Sequence, residues 1–326
     1  MNITIVNPSK IPALLYGGTE RVIWYLGKEL AKLGHKLTYL VATGSVCDFG
    51  DIKIYNPQQP INEQISETTD IVHFNFPVKE KILKPYITTI HGNSSLGQEF
   101  DINTVFVSKN HAKRHNSNSF VYNGLDWDDY GKPELNNTRL YFHFLANASW
   151  KVKNLKGAIK IFSQANEKLA VLGGNRLNFK MGFRLTLNPN IRFYGMVGGE
   201  TKMGLLQKSK GLIFPVLWDE PFGLALSESM YFGCPVFGTP YGALPEIVRN
   251  DTGFLSDNSK DLANAIANVK TFNRKIISDY ALETFNSKQM ALEYLRKYET
   301  VLSGKTLNEK KPVYVEELNR KIFNFS

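Results

Sequence analysis

Two carboxylates stand inside an otherwise apolar stretch, FPVLWDEPFGLALSESMYFGCPVFGTP, which runs from Phe214 to Pro240. Glu220 and Glu228 lie eight positions apart, with Phe222, Gly223 and Leu224 between them. GLIFPV (211–216) has the composition of a buried strand, and Trp218-Asp219-Glu220-Pro221 breaks it. A helix is expected to begin between Phe222 and Leu224 and to run to about Met230, before Gly233-Cys234-Pro235 stops it. Glu220 then sits on the strand-to-helix loop, and Glu228 about a turn and a half inside the helix. The N–H groups of Phe222, Gly223 and Leu224 belong to a first helical turn, lack intrahelical partners and point toward whatever Glu220 faces. An acid for hydroxyls beside amides for an anion suits a molecule that is sugar at one end and phosphate at the other. The plainer alternative leaves Glu220 on the surface and buries Glu228 against a lysine.

Three further loops carry residues of the same kind. NPSKIPALLYGGTE (7–20) ends in Gly17-Gly18, which lets backbone approach a ligand closely at the head of the next helix. Neither GxGxxG nor GxxxxGK[ST] occurs, and a tight turn is the alternative reading of the glycine pair. In TTIHGN, His91 closes a run of β-branched residues, where an imidazole can exchange hydrogen bonds near neutral pH or serve only the structure. In ASWKVKNLKGAIKIF (148–162), Lys151, Lys153 and Lys156 stand at the head of a helical pattern. Ammonium groups and helix N–H dipoles at one spot favour a diphosphate.

The elements that must position these loops alternate along the whole chain. The first half offers strands at ITIV (3–6), KLTYLVA (36–42), IVHFNF (71–76), ITTIH (87–91), TVFVS (104–108) and SFVYN (119–123). A helix over 19–34 places Val22, Ile23, Leu26, Leu30 and Leu33 on one face. After the turn-prone passage NGLDWDDYGKPELNNT (123–138), strands return at YFHFLAN, EKLAVLGG, NIRFYG, GLIFPV and PVFGT. Alternating strands and helices in both halves predict two parallel sheets covered by helices, with ligand sites at the strands' carboxyl ends. The expected division is 1–137, 138–305 and a C-terminal extension over 306–326 packing back on the first domain.

The 326 residues exceed a single core, and 43% apolar residues with a mean hydropathy of −0.24 describe an ordinary globular chain. No apolar run reaches the roughly 18 residues of a membrane span, and MNITIVNPSK reads as a strand rather than a signal peptide. Cys47 and Cys234 are the only cysteines, which predicts no disulfide framework, and the histidines show no metal-ligand spacing. The net charge of +9 is local: residues 151–210 carry 12 Lys/Arg against 2 Asp/Glu, whereas 1–138 carry 13 against 14. Such a block suits nucleic acid, an anionic membrane, a phosphorylated small molecule, or nothing more than a solvated face. No nucleic-acid-binding module is present, and no nucleic-acid partner is expected.

The segment FPVLWDEPFGLALSESMYFGCPVFGTPYGALPEIV closely resembles the signature of family 4 glycosyltransferases, retaining enzymes of the GT-B fold. YGGTERVIWYLGKELAKLGHKLTYL resembles that family's glycine loop, helix and second strand, and TTIHG, VSKNHAKRH, VYNGLD and IRFYGMVGGE resemble its later markers. The resemblance covers about residues 1–300 in matching order. It implies an α/β fold of two Rossmann-like doubly wound parallel-sheet domains facing a central cleft, the first for the acceptor and the second for the donor. It further implies that Glu220 holds donor-sugar hydroxyls, that Phe222, Gly223 and Leu224 offer N–H groups, and that Glu228 binds the ribose. Lys153 then matches the diphosphate lysine, Gly17 and Gly18 approach the phosphates, Met196 and Val197 meet the base, and His91 lies by the reacting carbon. The family's usual arginine is replaced by Ala148, with Lys151 as its candidate substitute.

The implied activity is metal-independent transfer of a hexosyl unit from a UDP- or GDP-sugar to a hydroxyl acceptor, a glycan or a lipid-linked one. Domain closure is expected to complete the site. No cofactor is implied beyond the nucleotide-sugar substrate, and no transmembrane segment. The expected location is the cytoplasm, including the inner face of the membrane. A GT-B nucleotide-sugar epimerase and a non-catalytic nucleotide-sugar-binding protein of the same fold are the competing readings.

Overall fold

A computed structural model describes residues 1–13, 17–179, 183–315 and 323–326. The chain separates into two compact units: residues 1–126 with 285–315 form one, and residues 127–284 with 323–326 the other. The first sheet holds β1 (Asn2–Asn7), β2 (Lys36–Val41), β3 (Asp51–Ile54), β4 (Ile71–Phe74), β5 (Tyr86–Ile90) and β6 (Thr104–Phe106). Its order is β3-β2-β1-β4-β5-β6, and every pairing is parallel.

The second unit repeats this plan. Its strands are β7 (Tyr141–Leu145), β8 (Leu169–Leu172), a hairpin of β9 (Leu177–Asn178) and β10 (Arg184–Leu185), β11 (Ile191–Phe193), β12 (Ser209–Phe214), β13 (Val236–Gly238) and β14 (Gly253–Leu255). The parallel sheet runs β11-β8-β7-β12-β13-β14, the same doubly wound order once the separate hairpin is set aside. Central strands are buried on both faces and read as continuous apolar runs, as in GLIF, where Gly211 to Phe214 are all buried.

Where the structure differs from the strand reading, the reasons are local. Edge strand β3 is polar and mostly exposed, and β14 spans three residues, so neither gives an apolar run. SFVYN makes only one bridge, Phe106 to Phe120, and does not extend into a strand.

The units divide after Asp126 rather than at the expected 137/138, and the helix Ser287–Leu302 belongs to the first unit. That helix is tied in by buried hydroxyls: Tyr298 Oη lies 2.8 Å from His73 Nδ1, and Tyr294 Oη 3.0 Å from Thr89 Oγ1. Of the expected extension over 306–326, residues 306–315 lie against the first unit, where Asn308 donates to the carbonyls of Ile102 and Thr104. Phe323 donates its amide to Leu217 O in the second unit, and residues 316–322 lie outside the described ones. Among the described residues no helix is long and apolar enough to cross a membrane.

Candidate functional site

Glu220 lies on the loop after β12 and is 6% exposed. Lys153 Nζ donates to its Oε2 at 2.5 Å, and Trp218 Nε1 donates to the same oxygen at 2.7 Å. The ammonium also stands 4.9 Å from the Trp218 ring centroid and 5.1 Å from that of Phe214. A lysine caught between two aromatic faces and a carboxylate is held in one place, and the carboxylate compensates its charge.

Two short loops build this pair. Lys153 ends the 3-10 turn Lys151–Lys153, and Asn154 follows in the left-handed region. Asn154 Oδ1 accepts from Gly157 N and caps the helix Leu155–Ala165, while its Nδ2 donates to Pro215 O at 2.9 Å. Leu217 N donates to Val152 O, which stitches the lysine loop to the glutamate loop. From the other side the turn at 241–243 clamps the glutamate. Ala243 N donates to Glu220 O at 2.9 Å, and Gly242 N to Asp219 Oδ1 at 3.0 Å. At Gly242, φ is +62°, and a Cβ there would lie 2.2 Å from Glu220 N. Only glycine fits.

Glu228 lies in the helix Leu224–Tyr231 and is 2% exposed. Lys202 Nζ donates to its Oε1, and so does Tyr130 Oη at 2.7 Å. The ammonium lies 5.3 Å from the Tyr130 ring centroid. The helix is fixed on the sheet by His143 of β7, whose ring nitrogens lie 2.6 Å from Ser209 Oγ and 2.8 Å from Ser229 Oγ. Burial pushes the His143 pKa down to about 3, so it is neutral and can pair one accepting and one donating nitrogen with the two hydroxyls.

Sequence reading missed Lys202 and Tyr130. Tyr130 hides in the polar passage read as a linker, and Lys202 is one of twelve cations in the basic block, 26 positions from its partner. A buried glutamate needs a cation, but spacing alone does not say which. Of the expected donor-side residues, Phe222 is buried, and Gly223 is the N-cap of the helix, with φ +85°. Leu224 is its first residue. Met196 is exposed and Val197 half-buried, on the loop between β11 and the helix Gly199–Gln207. Lys151 is exposed. Ala148 is buried, with its Cβ packed toward Gly174 so closely that a Cβ on that glycine would lie 2.4 Å away.

The remaining expected residues belong to the first unit. Gly17 caps the helix Gly18–Lys32 with φ +154°, and Glu20 places a carboxylate in its first turn. Residues 14–16 of that loop lie outside the described ones. His91, just past β5, is half-buried, and its Nε2 donates to Asn75 Oδ1 at 2.9 Å. Packing around the ring pushes its pKa down to about 4, so the imidazole is neutral at pH 7. Glu220, Lys153, Glu228 and Met196–Val197 are thus carried on one rim of the second sheet, and His91 and Gly17–Gly18 at strand ends of the first. Among the described residues no group of three or more His, Cys, Asp or Glu could hold a metal ion.

Residues 126–281 match the family model of Glycosyl transferases group 1. The N-acetyl-alpha-D-glucosaminyl L-malate synthase of Bacillus anthracis is 22% identical, with 74% of this chain and 81% of that one covered. Among solved structures, AviGT4, a glycosyltransferase involved in avilamycin A biosynthesis, superposes with a TM-score of 0.76 at 18% identity, covering 94% of this chain and 99% of that one. Anabaena Alr3699/HepE, in complex with UDP-glucose, superposes at 0.66 and 16% identity, covering 93% and 100%. These likenesses and the repeated sheet order give the chain the GT-B fold.

Proposed function

We propose that this chain, a glycosyltransferase of the GT-B fold, moves a hexosyl unit from a nucleotide diphosphate sugar to a hydroxyl acceptor with retention of configuration. The observation that carries the reading is the buried Glu220–Lys153 pair at the strand ends of a unit that matches the group 1 model over residues 126–281. The motif from Glu220 to Val248 supports membership of family 4, and a structural neighbour binding UDP-glucose supports a UDP-sugar as one candidate donor beside a GDP-sugar.

Lys153 has three ammonium protons and gives one to Glu220, so a departing diphosphate can take another without the lysine moving. Glu220 accepts sugar hydroxyls, and its fixed carboxylate stabilises positive charge developing on the ring of an oxocarbenium-like transition state. Gly223 and Leu224, at the head of the helix, and the backbone of Phe222 supply N–H groups to the donor. Glu228 takes the ribose hydroxyls, the backbone at Met196 and Val197 meets the base, and Lys151 adds charge where Ala148 has none. His91, neutral by virtue of its depressed pKa, hydrogen-bonds the donor sugar, while Gly17 and Gly18 approach the phosphates. Positive charge for the leaving group comes from side chains and helix ends, so the reading includes no metal ion. The acceptor is a hydroxyl of a glycan or a lipid-linked glycan.

Thermal unfolding in the presence of UDP, GDP, ADP and their sugars tests this, because a ligand that binds only the native state raises Tm. One nucleotide is expected to stabilise the protein, its sugar to be transferred or slowly hydrolysed with retained anomeric configuration, and a chelator to leave turnover unchanged. Stabilisation by none of them, or an inverted product by NMR, would overturn the proposal.

A further inference from the structure

The hairpin β9–β10 has its polar and apolar faces the wrong way round for a protein in water. In the antiparallel register Leu177 pairs with Leu185 and Asn178 with Arg184. Continuing that register sets Phe179 opposite Phe183, and their rings lie 5.8 Å apart. Side chains alternate across a strand, so Leu177, Phe179, Phe183, Leu185 and Leu187 share one face. That face points outward: Phe179 is 73% exposed, Phe183 64% and Leu187 79%. The opposite face is turned to the protein, where Thr186 is buried and Asn178 Oδ1 accepts from Ser149 Oγ at 2.8 Å. Arg176 fixes the base by donating to the carbonyls of Thr186, Asn188 and Ile191. The hairpin is therefore held by polar bonds and leaves its apolar side chains about half exposed or more.

A short two-stranded ribbon with a row of exposed phenylalanines and leucines gains nothing from water and needs a partner surface. Charge identifies which one. From Lys168 to Gly199 the chain carries five Lys/Arg and no Asp/Glu. The exposed Lys151 follows the exposed Trp150 beside Ser149, which bonds the hairpin, and the exposed Arg192 follows from its second strand. Two copies meeting through this face would set like charges against each other. An exposed aromatic and aliphatic face within a stretch of sequence rich in cations and free of acids matches a bilayer interface of anionic lipid.

We propose that this hairpin face docks the second unit on an anionic membrane surface. The phenylalanines and leucines enter the headgroup boundary, and the exposed Arg192 lies against lipid phosphates. This adds a membrane contact to the unit that carries Glu220. The proposal stands apart from the catalytic reading, and its test does not measure transfer.

The full-length protein is floated with vesicles of phosphatidylcholine containing about 30% phosphatidylglycerol and with pure phosphatidylcholine vesicles. Binding is expected to the anionic vesicles, at least about tenfold above the neutral ones, and to fall at about 0.5 M salt. Phe179→Ser/Phe183→Ser is expected to keep the wild-type Tm, since those rings are largely exposed, and to lose at least about tenfold in partitioning. Phe183→Trp gives a second readout, in which brominated lipid quenches the introduced indole only in anionic vesicles. Failure to float, equal partitioning of the serine variant, or an indole in the Phe183→Trp variant that brominated lipid leaves unquenched would each overturn the proposal. So would a dimer that the serine substitutions dissolve, or RNA retention that they abolish, which assign the face to a second copy or to nucleic acid.

Discussion

Glu220 and Lys153 each supply the charge that the other needs in a site where both side chains are less than a tenth exposed. Removing one member leaves the other buried with an uncompensated charge, which costs about 3–5 kcal/mol. A single substitution therefore confuses folding with catalysis, and a cycle separates them. Lys153→Met and Glu220→Gln are each expected to lower the unfolding free energy, Lys153→Met by about 3 kcal/mol, and the double variant by clearly less than the sum. Transfer is expected to fall in all three, because the variants remove the ammonium proposed to meet the diphosphate or the carboxylate charge proposed to hold the donor sugar. Denaturation curves beside initial rates measure both quantities. A double variant with restored turnover would reduce the pair to a structural one.

At the scale of elements, the loop that carries Glu220 is held from two sides, and each side depends on a residue with unusual backbone geometry. Asn154, left-handed, ties the lysine turn to β12, and Gly242, at φ +62°, lets the following turn press on the backbone of Glu220. Gly242→Ala is expected to cost about 2–4 kcal/mol and to cut kcat/KM with the protein still folded, because the loop must shift to admit a Cβ. Gly97→Ala is the control: its φ is +74°, but nothing lies within 4 Å of its Cβ position. It should cost only the left-handed penalty, about 1–2 kcal/mol, and leave kinetics alone. Equal losses of stability with wild-type kinetics at Gly242→Ala would refute the clamp. The strand, loop and helix around Glu220 were legible in the sequence, since an apolar run, an Asp-Glu-Pro break and a Gly-Cys-Pro stop leave little choice. What was not legible is pairing across distance. Glu220 finds Lys153 at a separation of 67 positions and Glu228 finds Tyr130 at 98, and no local pattern carries that information. The unit boundary was hidden for the same reason, because only the packed helix Ser287–Leu302 reveals that the chain returns to its first sheet.

At the scale of the whole molecule, both units have a neutral histidine built into the core, and this makes the protein acid-sensitive as a whole. His73 in the first unit sits between Tyr298 and Thr89, and His143 in the second between Ser209 and Ser229. Both are fully buried, and burial holds each pKa down to about 3 against 6.5 in the unfolded chain. Between those values the unfolded state binds a proton that the folded state refuses, so stability rises with pH across this window and is lost as pH falls from 6.5 toward 3. By pH 5 the loss is about 2 kcal/mol for each of the two histidines. Since one lies in each unit, no acid-resistant half is expected to survive. Urea midpoints are expected to fall steadily from about pH 7 to about pH 5 and to change little between about pH 7 and about pH 8. His143→Gln, which keeps hydrogen-bonding capacity without a titratable ring, should flatten the slope by about 1.4 kcal/mol per pH unit, even at some cost in stability at neutral pH. A variant whose stability follows the wild-type slope would show that His143 is not the proton-excluding group.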